Sequence, residues 1–334
     1  MLEEPAAKRP SVQQQQQQQQ QQHPESKKRI RFLIISDTHE NEEDDKTERT
    51  SAFQPPTHLT DIDVVLHCGD LTENGTLAEL TKAIDKLAAI RAQLRLFIAG
   101  NHEIALDERY YRSQGGDAET HAAALKAVRE DALAKGVTYL EEGTHAFALE
   151  DGAAFTLYAS PWTPACGQSA FQYESREDRF NPPGTTPEWA TNTATKCSII
   201  PEGVDVVMTH GPPMYVLDDT GRGNSGGCEH LRRAVCRVKP RLHCFGHVHR
   251  GYGAQRVFFE RPQEEEDDDD EMRCEPQLKE FVGRNQARRK GYASLSPGSD
   301  AAWKEDRQTL MVNAAVMDDQ EKATNVPWVV EMEL

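Results

Sequence analysis

Eight polar side chains in five short stretches of this sequence have the types and spacing to bind metal ions. They belong to Asp-x-His, Gly-Asp, Gly-Asn-His-Glu, Thr-His-Gly and Gly-His-x-His segments, and are Asp37, His39, Asp70, Asn101, His102, His210, His247 and His249. Mixed oxygen and imidazole donors without a thiolate favour Mn, Fe, Zn or Mg over a structural zinc site. Because each segment alone is more often structural, the prediction depends on their order and placement together.

The number of donors predicts two ions. In an extended chain alternate side chains face the same way, so Asp37 and His39 can reach one ion, and the same holds for His247 and His249. Apart from His102, the remaining ligands are too many for one ion. With one bridging carboxylate they fit two ions about 3.5–4 Å apart, the geometry of phosphoester-cleaving sites. Such ions would activate a water and hold the phosphate oxygens, while His102 would protonate the leaving alkoxide.

Each stretch follows a run of apolar, branched residues that predicts a buried strand. These strands are predicted at 30–36, 63–67, 94–99, 204–208 and 241–245. In open α/β sheets, ligands bind at the carboxyl ends of the strands. A glycine stands directly before Asp70, Asn101 and His247, where it would let the chain turn sharply off the strand.

The order of the elements favours an α/β fold. Helices are predicted at 76–93, 118–135 and 229–238. Thr76 is expected to cap the first helix and Gly136 to close the second. Strand, helix, strand, helix is the βαβ pattern of a mostly parallel sheet. Asp151-Gly152 predicts a hairpin. Further strands are predicted at 144–149, 154–159, 254–259, 309–316 and 327–333.

The 334 residues fit one folded domain with low-complexity additions. Residues 1–28 contain a glutamine tract and are predicted to form a disordered tail. Residues 29–334 are predicted to form the domain, with a disordered acidic insertion at about 261–291 that contains the run EEEDDDDE. The segment 40–56 is predicted to be a long loop, either a lid or a plain surface insertion.

The charge and the cysteine content limit which partners and which cellular compartment are expected. A net charge of −17 without an evident basic patch argues against binding to a nucleic-acid backbone. Seven cysteines without a Cys-x-x-Cys pair suit free thiols in a reducing compartment. No apolar signal region or run of membrane-spanning length is present. We therefore expect no membrane partner and a cytoplasmic location, although these features do not separate the cytoplasm from the nucleus.

The series of five motifs resembles the calcineurin-like metallophosphoesterase superfamily. The longer strings SPWTP (160–164), THGPP (209–213) and GHVHRGYG (246–253) look like its metallophosphoesterase-domain-containing branch of small-nucleotide phosphodiesterase-like proteins. The resemblance covers roughly residues 30–260 and the closing strands near 309–333. It implies a four-layer αββα sandwich, in which two mixed β-sheets are flanked by helices.

The resemblance also implies a role for each candidate residue. One ion would be held by Asp37, His39 and His249, the other by Asn101, His210 and His247, with Asp70 bridging, and His102 would be the acid or the phosphate-contacting histidine. Both histidines of the Gly-His-x-His segment are present, which favours real catalysis. The segment GDLTENG (69–75) lacks the arginine of the GDxxDRG pattern of Ser/Thr protein phosphatases, which counts against a phosphoprotein substrate.

The expected function is that of a binuclear metal-dependent phosphoesterase, most consistent with a phosphodiesterase acting on a small nucleotide-like substrate through metal-activated water. Manganese is one of the candidate ions. Three alternatives stay open. The chain could be a phosphomonoesterase, or a weakly active or non-catalytic nucleotide-binding protein that uses the same pocket. It could also be an interaction scaffold whose working parts are the glutamine and acidic segments.

Other residues near the motifs have two interpretations. Trp162, Arg250 and Tyr252 flank the motifs and could contact substrate, but aromatic residues beside a strand end belong at least as often to the core. The glycine-rich segment 221–227 is predicted to be a flexible loop near the site, because it lacks the strand and lysine of a phosphate loop. The remaining histidines are expected to be structural: His58, His67, His121, His145, His230 and His243.

Overall fold

Strands and helices alternate along most of the computed structural model, which describes residues 28–39, 61–221, 223–260, 271–273, 284–295 and 308–334. The strands are β1 (Arg29–Ile35), β2 (Val64–His67), β3 (Leu94–Phe97), β4 (Thr138–Tyr139), β5 (Gly143–Ala148), β6 (Ala154–Ser160), β7 (Thr163–Pro164), β8 (Gln172–Tyr173), β9 (Glu177–Asp178), β10 (Thr191–Asn192), β11 (Val206–Thr209), β12 (Leu242–Phe245), β13 (Gly253–Glu260), β14 (Glu271–Arg273), β15 (Ala293–Ser294), β16 (Gln308–Asn313) and β17 (Trp328–Glu333). The α-helices are α1 (Leu77–Ala89), α2 (Glu108–Ser113), α3 (Ala118–Lys126), α4 (Ala132–Ala134), α5 (Glu229–Val238) and α6 (Arg284–Lys290).

Two mixed sheets form the centre of the fold. The first has the order β15-β17-β1-β2-β3-β4, in which β1 to β4 are parallel and β17 is antiparallel to β1. The second has the order β14-β13-β16-β12-β11-β6-β5, with β6, β11, β12 and β16 parallel and the outer strands antiparallel. Short two-stranded ribbons, β7-β8 and β9-β10, lie in the segment between β6 and β11.

Alternation of side chains along the strands creates three apolar layers. Phe32 and Ile34 of β1 pack between the two sheets, together with Leu157 of β6. Leu33 and Ile35, on the opposite face of β1, pack against α1 and α3. A third layer lies between the second sheet and α5. The expected αββα sandwich of two mixed sheets flanked by helices is therefore confirmed.

The three predicted helices form, and α2 and α6 are helices that the sequence did not predict. Thr76 and Glu79 make a reciprocal capping box at the start of α1, which buries Leu80, Ala83, Ile84 and Leu87 on one face. A π-helical turn at Ala127–Asp131 joins α3 to α4, and Gly136 follows with φ of 74°. Within the described residues, no helix has the length and apolar character needed to cross a bilayer.

Two pieces of the stretch 261–291 have regular structure, which differs from the disorder predicted over its whole length. β14 pairs with the edge strand β13, and α6 buries Ala287 against the layer between the sheets. The acidic run ends at Glu271, the first residue of β14. The glutamine tract, the loop at 40–56 and residues 261–270 and 274–283 lie outside the described residues.

Candidate metal centre

The carboxyl ends of five parallel strands from both sheets bring the candidate side chains together. Asp37 and His39 follow β1, Asp70 follows β2, Asn101 and His102 follow β3, His210 follows β11, and His247 and His249 follow β12. Backbone hydrogen bonds join the neighbouring loops: the Asp37 amide donates to Gly69 O at 3.0 Å, and the Gly246 amide donates to His210 O at 2.9 Å. The loops are thus held at one edge of the fold.

Most of these side chains fall into two groups of possible ligands, and a third group consists of His39, Glu73 and His102. Asp37, His39 and His249 form one, with 3.3 Å between Asp37 Oδ1 and His249 Nε2. Asp70, His210 and His247 form the other. Asp70 Oδ2 lies 3.1 Å from His210 Nε2 and 3.9 Å from His39 Nε2, so this carboxylate faces both groups. That is the position a bridging ligand needs.

Asn101 directs its side-chain oxygen into the second group. Its Nδ2 donates to Ser169 Oγ at 3.1 Å, and Ser169 Oγ donates in turn to Asn101 O at 2.7 Å. The orientation fixed in this way leaves Asn101 Oδ1 3.0 Å from His210 Nε2. The oxygen that would bind an ion therefore lies beside its neighbouring imidazole ligand.

The backbone of the ligand loops is not extended, contrary to the argument for the Asp-x-His and His-x-His pairs. Asp37, His39, Asp70 and His247 have φ of 54°, 37°, 53° and 64°, in the left-handed region that residues with a Cβ rarely adopt. As a result His247 and His249 turn to different groups. The sharp turns off the strands are made by these residues themselves.

The close approach of neighbouring side chains explains why glycine stands at these positions better than backbone freedom does. A Cβ on Gly246 would lie 1.9 Å from Asp37 Oδ2, and one on Gly100 would lie 2.2 Å from Asp70 Oδ1. Gly69 combines both reasons, since its φ is 99° and a Cβ would lie 2.6 Å from His210 Nδ1. Any other residue would occupy the space of a candidate ligand.

The charges at the centre favour a bound cation. Burial alone would raise the pKa of Asp37, but the hydrogen bond and charge of His249 outweigh it and lower that pKa to about 2. Burial is likewise outweighed at Asp70, chiefly by His210, which holds its pKa well below the usual range. Both acids are therefore carboxylates at neutral pH. Against the effect of burial, the surrounding acids raise the pKa of His39 and of His210 to about 9.

The donor set fits a pair of ions. Carboxylate, amide and imidazole ligands in two adjoining groups match the preferences of Mn, Fe, Zn or Mg. In addition, His39 Nε2 is buried and has no hydrogen-bond partner among the described residues. A buried nitrogen of this kind costs free energy unless something binds it. A metal ion beside Asp70 would satisfy it.

Two buried histidines outside the ligand set support the ligand loops. The Thr38 hydroxyl donates to Leu71 O and accepts from His67 Nε2 at 3.0 Å. The Thr209 hydroxyl donates to Gly211 O and accepts from His243 Nε2 at 2.8 Å. Each threonine directly precedes a candidate ligand, His39 or His210. The structural role expected for His67 and His243 is thus to tie down these loops.

The acids Glu103 and Glu73 contribute although the sequence prediction assigned them no role. The buried Glu103 carboxylate accepts from the backbone amides of Asp70, Thr72 and Gly100 at 2.6 to 3.0 Å. Glu73 Oε2 lies 3.2 Å from His39 Nδ1 and orients that imidazole. Their positions in the sequence could have indicated these roles, because Glu103 ends the Gly-Asn-His-Glu segment and Glu73 lies in the loop after Asp70.

His102 lies beside both groups. Its amide donates to Asp70 Oδ1 at 2.9 Å, and its ring centroid is 4.6 Å from that of His39. Its Nδ1 lies 2.7 Å from Glu73 O, which accepts a hydrogen bond only if Nδ1 carries the proton. Nε2 is therefore the nitrogen left to exchange a proton with a bound molecule.

The flanking residues divide between core and cleft. Trp162 packs on Phe171 and beneath the Arg179 guanidinium, which lies 4.3 Å from the ring centroid. Tyr252 packs on Trp328 and donates to Val326 O. Arg250 lines a cleft of about 740 Å³ beside His247 and His249. Gly226 and Gly227 of the glycine-rich segment line the same cleft, so that segment does lie near the site.

The order and geometry of the five motifs agree with a comparison to known families. The family model described as calcineurin-like phosphoesterase matches residues 30–251. The chain belongs to the calcineurin-like phosphoesterase family. The match begins in β1 and ends in the turn after His249, so it includes all eight candidate residues.

Similar proteins include metallophosphoesterase domain-containing protein 1 of Homo sapiens, 31% identical over 67% of this chain and 61% of that protein. A protein named probable rhamnogalacturonate lyase C, from Emericella nidulans, is 33% identical over 69% of this chain. The chain spans only 18% of the latter's length. Two solved structures are also similar. TT1561 of Thermus thermophilus has a TM-score of 0.42 and 10% identity, over 69% of this chain and 84% of that one. The purple acid phosphatase PPD1 of yellow lupin has a TM-score of 0.38 and 17% identity, over 71% of this chain and 40% of that one.

Proposed function

We propose that this chain hydrolyses phosphate esters with two metal ions and that its substrate is a small, nucleotide-like phosphodiester. The position of Asp70 carries the proposal: its carboxylate faces His210 of one ligand group and His39 of the other. A shared carboxylate between two groups of ligands suits two neighbouring ions better than one. Membership of the calcineurin-like phosphoesterase family supports the same chemistry.

The ligands are proposed as follows. Asp37, His39 and His249 would hold the first ion, Asn101, His210 and His247 would hold the second, and Asp70 would be shared between them. When bound, two such ions supply a nucleophile at neutral pH and positive charge for the phosphate oxygens. Manganese is the ion we would supply first, because it accepts both oxygen and imidazole donors.

The chain itself contributes orientation and a proton. Glu73 and Glu103 hold His39 and the Asp70 loop in place, so little rearrangement is needed at the moment of reaction. His102, with Nδ1 bonded to the Glu73 carbonyl, would donate a proton from Nε2 to the departing alkoxide. The reaction would end with a phosphomonoester and an alcohol.

A diester is favoured over a monoester by charge. Asn74 stands where the GDxxDRG pattern has its arginine, and its Nδ2 donates to Glu79 instead of facing the centre. A monoester dianion carries one more negative charge than a diester and has more need of such a cation. The six described cysteines form no disulfide with one another, which supports our proposal of a cytoplasmic location.

The test is hydrolysis of bis(p-nitrophenyl) phosphate and p-nitrophenyl phosphate with Mn²⁺. Wild type is compared with Asp70→Asn and with Asp61→Asn, a matched change at an exposed acid that pairs with Arg31. We expect diester cleavage that Asp70→Asn reduces at least hundredfold and Asp61→Asn leaves within twofold. Cleavage of the monoester alone would overturn the substrate class. Turnover that survives Asp70→Asn would overturn the two-ion site.

A non-catalytic nucleotide-binding protein is the second candidate, because it would use the same side chains. The two candidate functions differ in one measurable property, which is whether a bound ester is hydrolysed. If the protein binds two equivalents of Mn²⁺ and a nucleotide but cleaves neither ester nor any nucleoside diester, binding without hydrolysis is its function.

A further inference from the structure

A cleft adjoins the candidate metal centre, and Trp189 is one of the residues that line it. The cleft has a volume of about 740 Å³ and begins at His247 and His249. Clefts of 300–1,000 Å³ accommodate ligands of nucleotide size. Its apolar wall includes Ala165, Met214 and Trp189. If a phosphate ester bound with its phosphate group at the ions, the rest of the ester would therefore lie in this cleft.

Trp189 is exposed to the cleft on one side and supported on the other. Its side chain is 44% exposed, which is unusual for the largest apolar residue. The ring stacks on the buried His230, with centroids 5.0 Å apart and planes 27° from parallel. A residue whose burial served only stability would not leave its second face open. The supported ring is instead a rigid platform for a flat group.

The charged side chains that line the cleft balance one another, although the whole chain is acidic. The net charge of the protein is −17. In the cleft, however, Glu229 and Asp319 are balanced by Arg176 and Arg250. Arg250 is already paired with Asp219 and Asp319, at 3.6 and 3.3 Å. A ligand in the cleft would accordingly be held by the Trp189 ring and by the ions, and not by a net positive charge of the wall.

We propose that Trp189 is the platform on which the planar base of a nucleoside phosphate stacks while its phosphate lies at the metal centre. The chemistry at phosphorus rests on the function proposed above, but the binding of the base does not. Stacking on an aromatic ring tolerates any base, because every base has a π-face. The site would accordingly recognise nucleosides as a class and distinguish them from esters with aliphatic groups.

The kinetic test uses two diesters with the same leaving group. Thymidine 5′-(p-nitrophenyl phosphate) carries a base, and methyl p-nitrophenyl phosphate does not. We expect Trp189→Ala to lower kcat/KM for the thymidine ester about ten- to hundredfold and to change it less than twofold for the methyl ester. Trp189→Phe, which keeps a flat ring, should restore most of the loss. Equal losses on both esters, or none on either, would overturn the proposal.

A binding test separates this proposal from the proposed hydrolysis. The affinities of adenosine 5′-monophosphate and of inorganic phosphate are measured by calorimetry with Mn²⁺ present. Trp189→Ala should weaken the nucleotide at least tenfold and leave phosphate unchanged. Tyr215→Ala is the matched control, since Tyr215 is also exposed (67%) but does not line the cleft. If the wild type binds both ligands with equal affinity, or if Tyr215→Ala has the larger effect, Trp189 is not a base platform, whether or not the protein hydrolyses esters.

Discussion

The Glu103 carboxylate accepts a hydrogen bond from the backbone amide of Asp70 at 3.0 Å, although the two residues are 33 positions apart. The same carboxylate accepts from the amides of Gly100 and Thr72. It therefore joins the loop after β2 to the loop after β3. Burial, together with the charge of Asp70, raises the pKa of Glu103, yet these donors are suited only to a carboxylate. The placement of the proposed bridging ligand depends on this buried acid.

Replacement of Glu103 by glutamine should damage both stability and metal binding. An amide nitrogen cannot accept, so the donors facing that end of the side chain lose their partner, at about 1.5–3 kcal/mol for each bond to a charged group. We expect the free energy of unfolding to fall by about 3 kcal/mol or more and the bound Mn²⁺ to decrease. Urea unfolding and elemental analysis measure the two effects. Glu108→Gln, at an exposed acid paired with Arg112, is the control; equal destabilisation by both changes would contradict the role of Glu103.

A methyl group at Gly246 should remove metal without unfolding the protein. The added Cβ would lie 1.9 Å from Asp37 Oδ2 and 2.1 Å from Ser36 Oγ, so the Asp37 carboxylate must move. We expect Gly246→Ala to bind no more than one equivalent of Mn²⁺ and to lose activity at least hundredfold. Gly115→Ala is the control: its φ of 88° makes an added Cβ strained, but no atom lies within 4 Å of that Cβ, so this variant should keep its metal. Full metal content in Gly246→Ala would show that Asp37 is not a ligand.

The sequence predicted the longer strands and the convergence of the candidate residues from local pattern, but not the short strands β4, β7 to β10, β14 and β15. Apolar runs such as 30–36 specify buried strands, and strand ends of parallel sheets share an edge. Whether these side chains bind ions remains a prediction for the metal analyses above. The left-handed backbone of Asp37 and Asp70 was not foreseen, because residues with a Cβ adopt it only when surrounding contacts impose it.

Side chains that act through distant partners were also missed. Glu103 resembles a solvated acid in the sequence, and only the fold brings the amides of Thr72 and Gly100 to it. Trp189 lies in a segment without periodicity, so neither its exposure nor its stacking on His230 has a sequence signal. In both cases the information lies in contacts between segments far apart along the chain.

The buried histidines His67 and His243 should make the protein sensitive to acid. Burial lowers the pKa of each to about 3, whereas the unfolded value is about 6.5. Between these values the unfolded chain binds more protons, so stability is fully present above pH 6.5 and is lost as the pH falls toward 3. From pH 7 to pH 5 each histidine should cost about 2 kcal/mol in the free energy of unfolding.

His243→Gln tests this pH dependence, since its amide can still donate to the Thr209 hydroxyl but does not titrate. Urea unfolding with EDTA present keeps metal affinity out of the measurement. The variant should lose about 2 kcal/mol less than wild type between pH 7 and pH 5. His145→Gln, at a half-buried histidine bonded to Glu141 O, is the matched control for the effect of the substitution itself. A wild-type slope in His243→Gln would show that His243 is already protonated in the folded state.

The proposed proton donor, His102, should matter most for esters with poor leaving groups. His102→Gln removes the proton from Nε2 but none of the proposed ligands, so Mn²⁺ content should stay at the wild-type level. We expect kcat for a dinucleotide, which releases an alkoxide, to fall about hundredfold or more. For bis(p-nitrophenyl) phosphate, whose leaving group needs little protonation, the fall should be less than tenfold. His121→Gln is the matched control, because His121 Nδ1 also lies 2.7 Å from a backbone carbonyl, that of Ala105, but away from the centre. Equal losses on the two esters would assign His102 to phosphate binding instead of proton transfer.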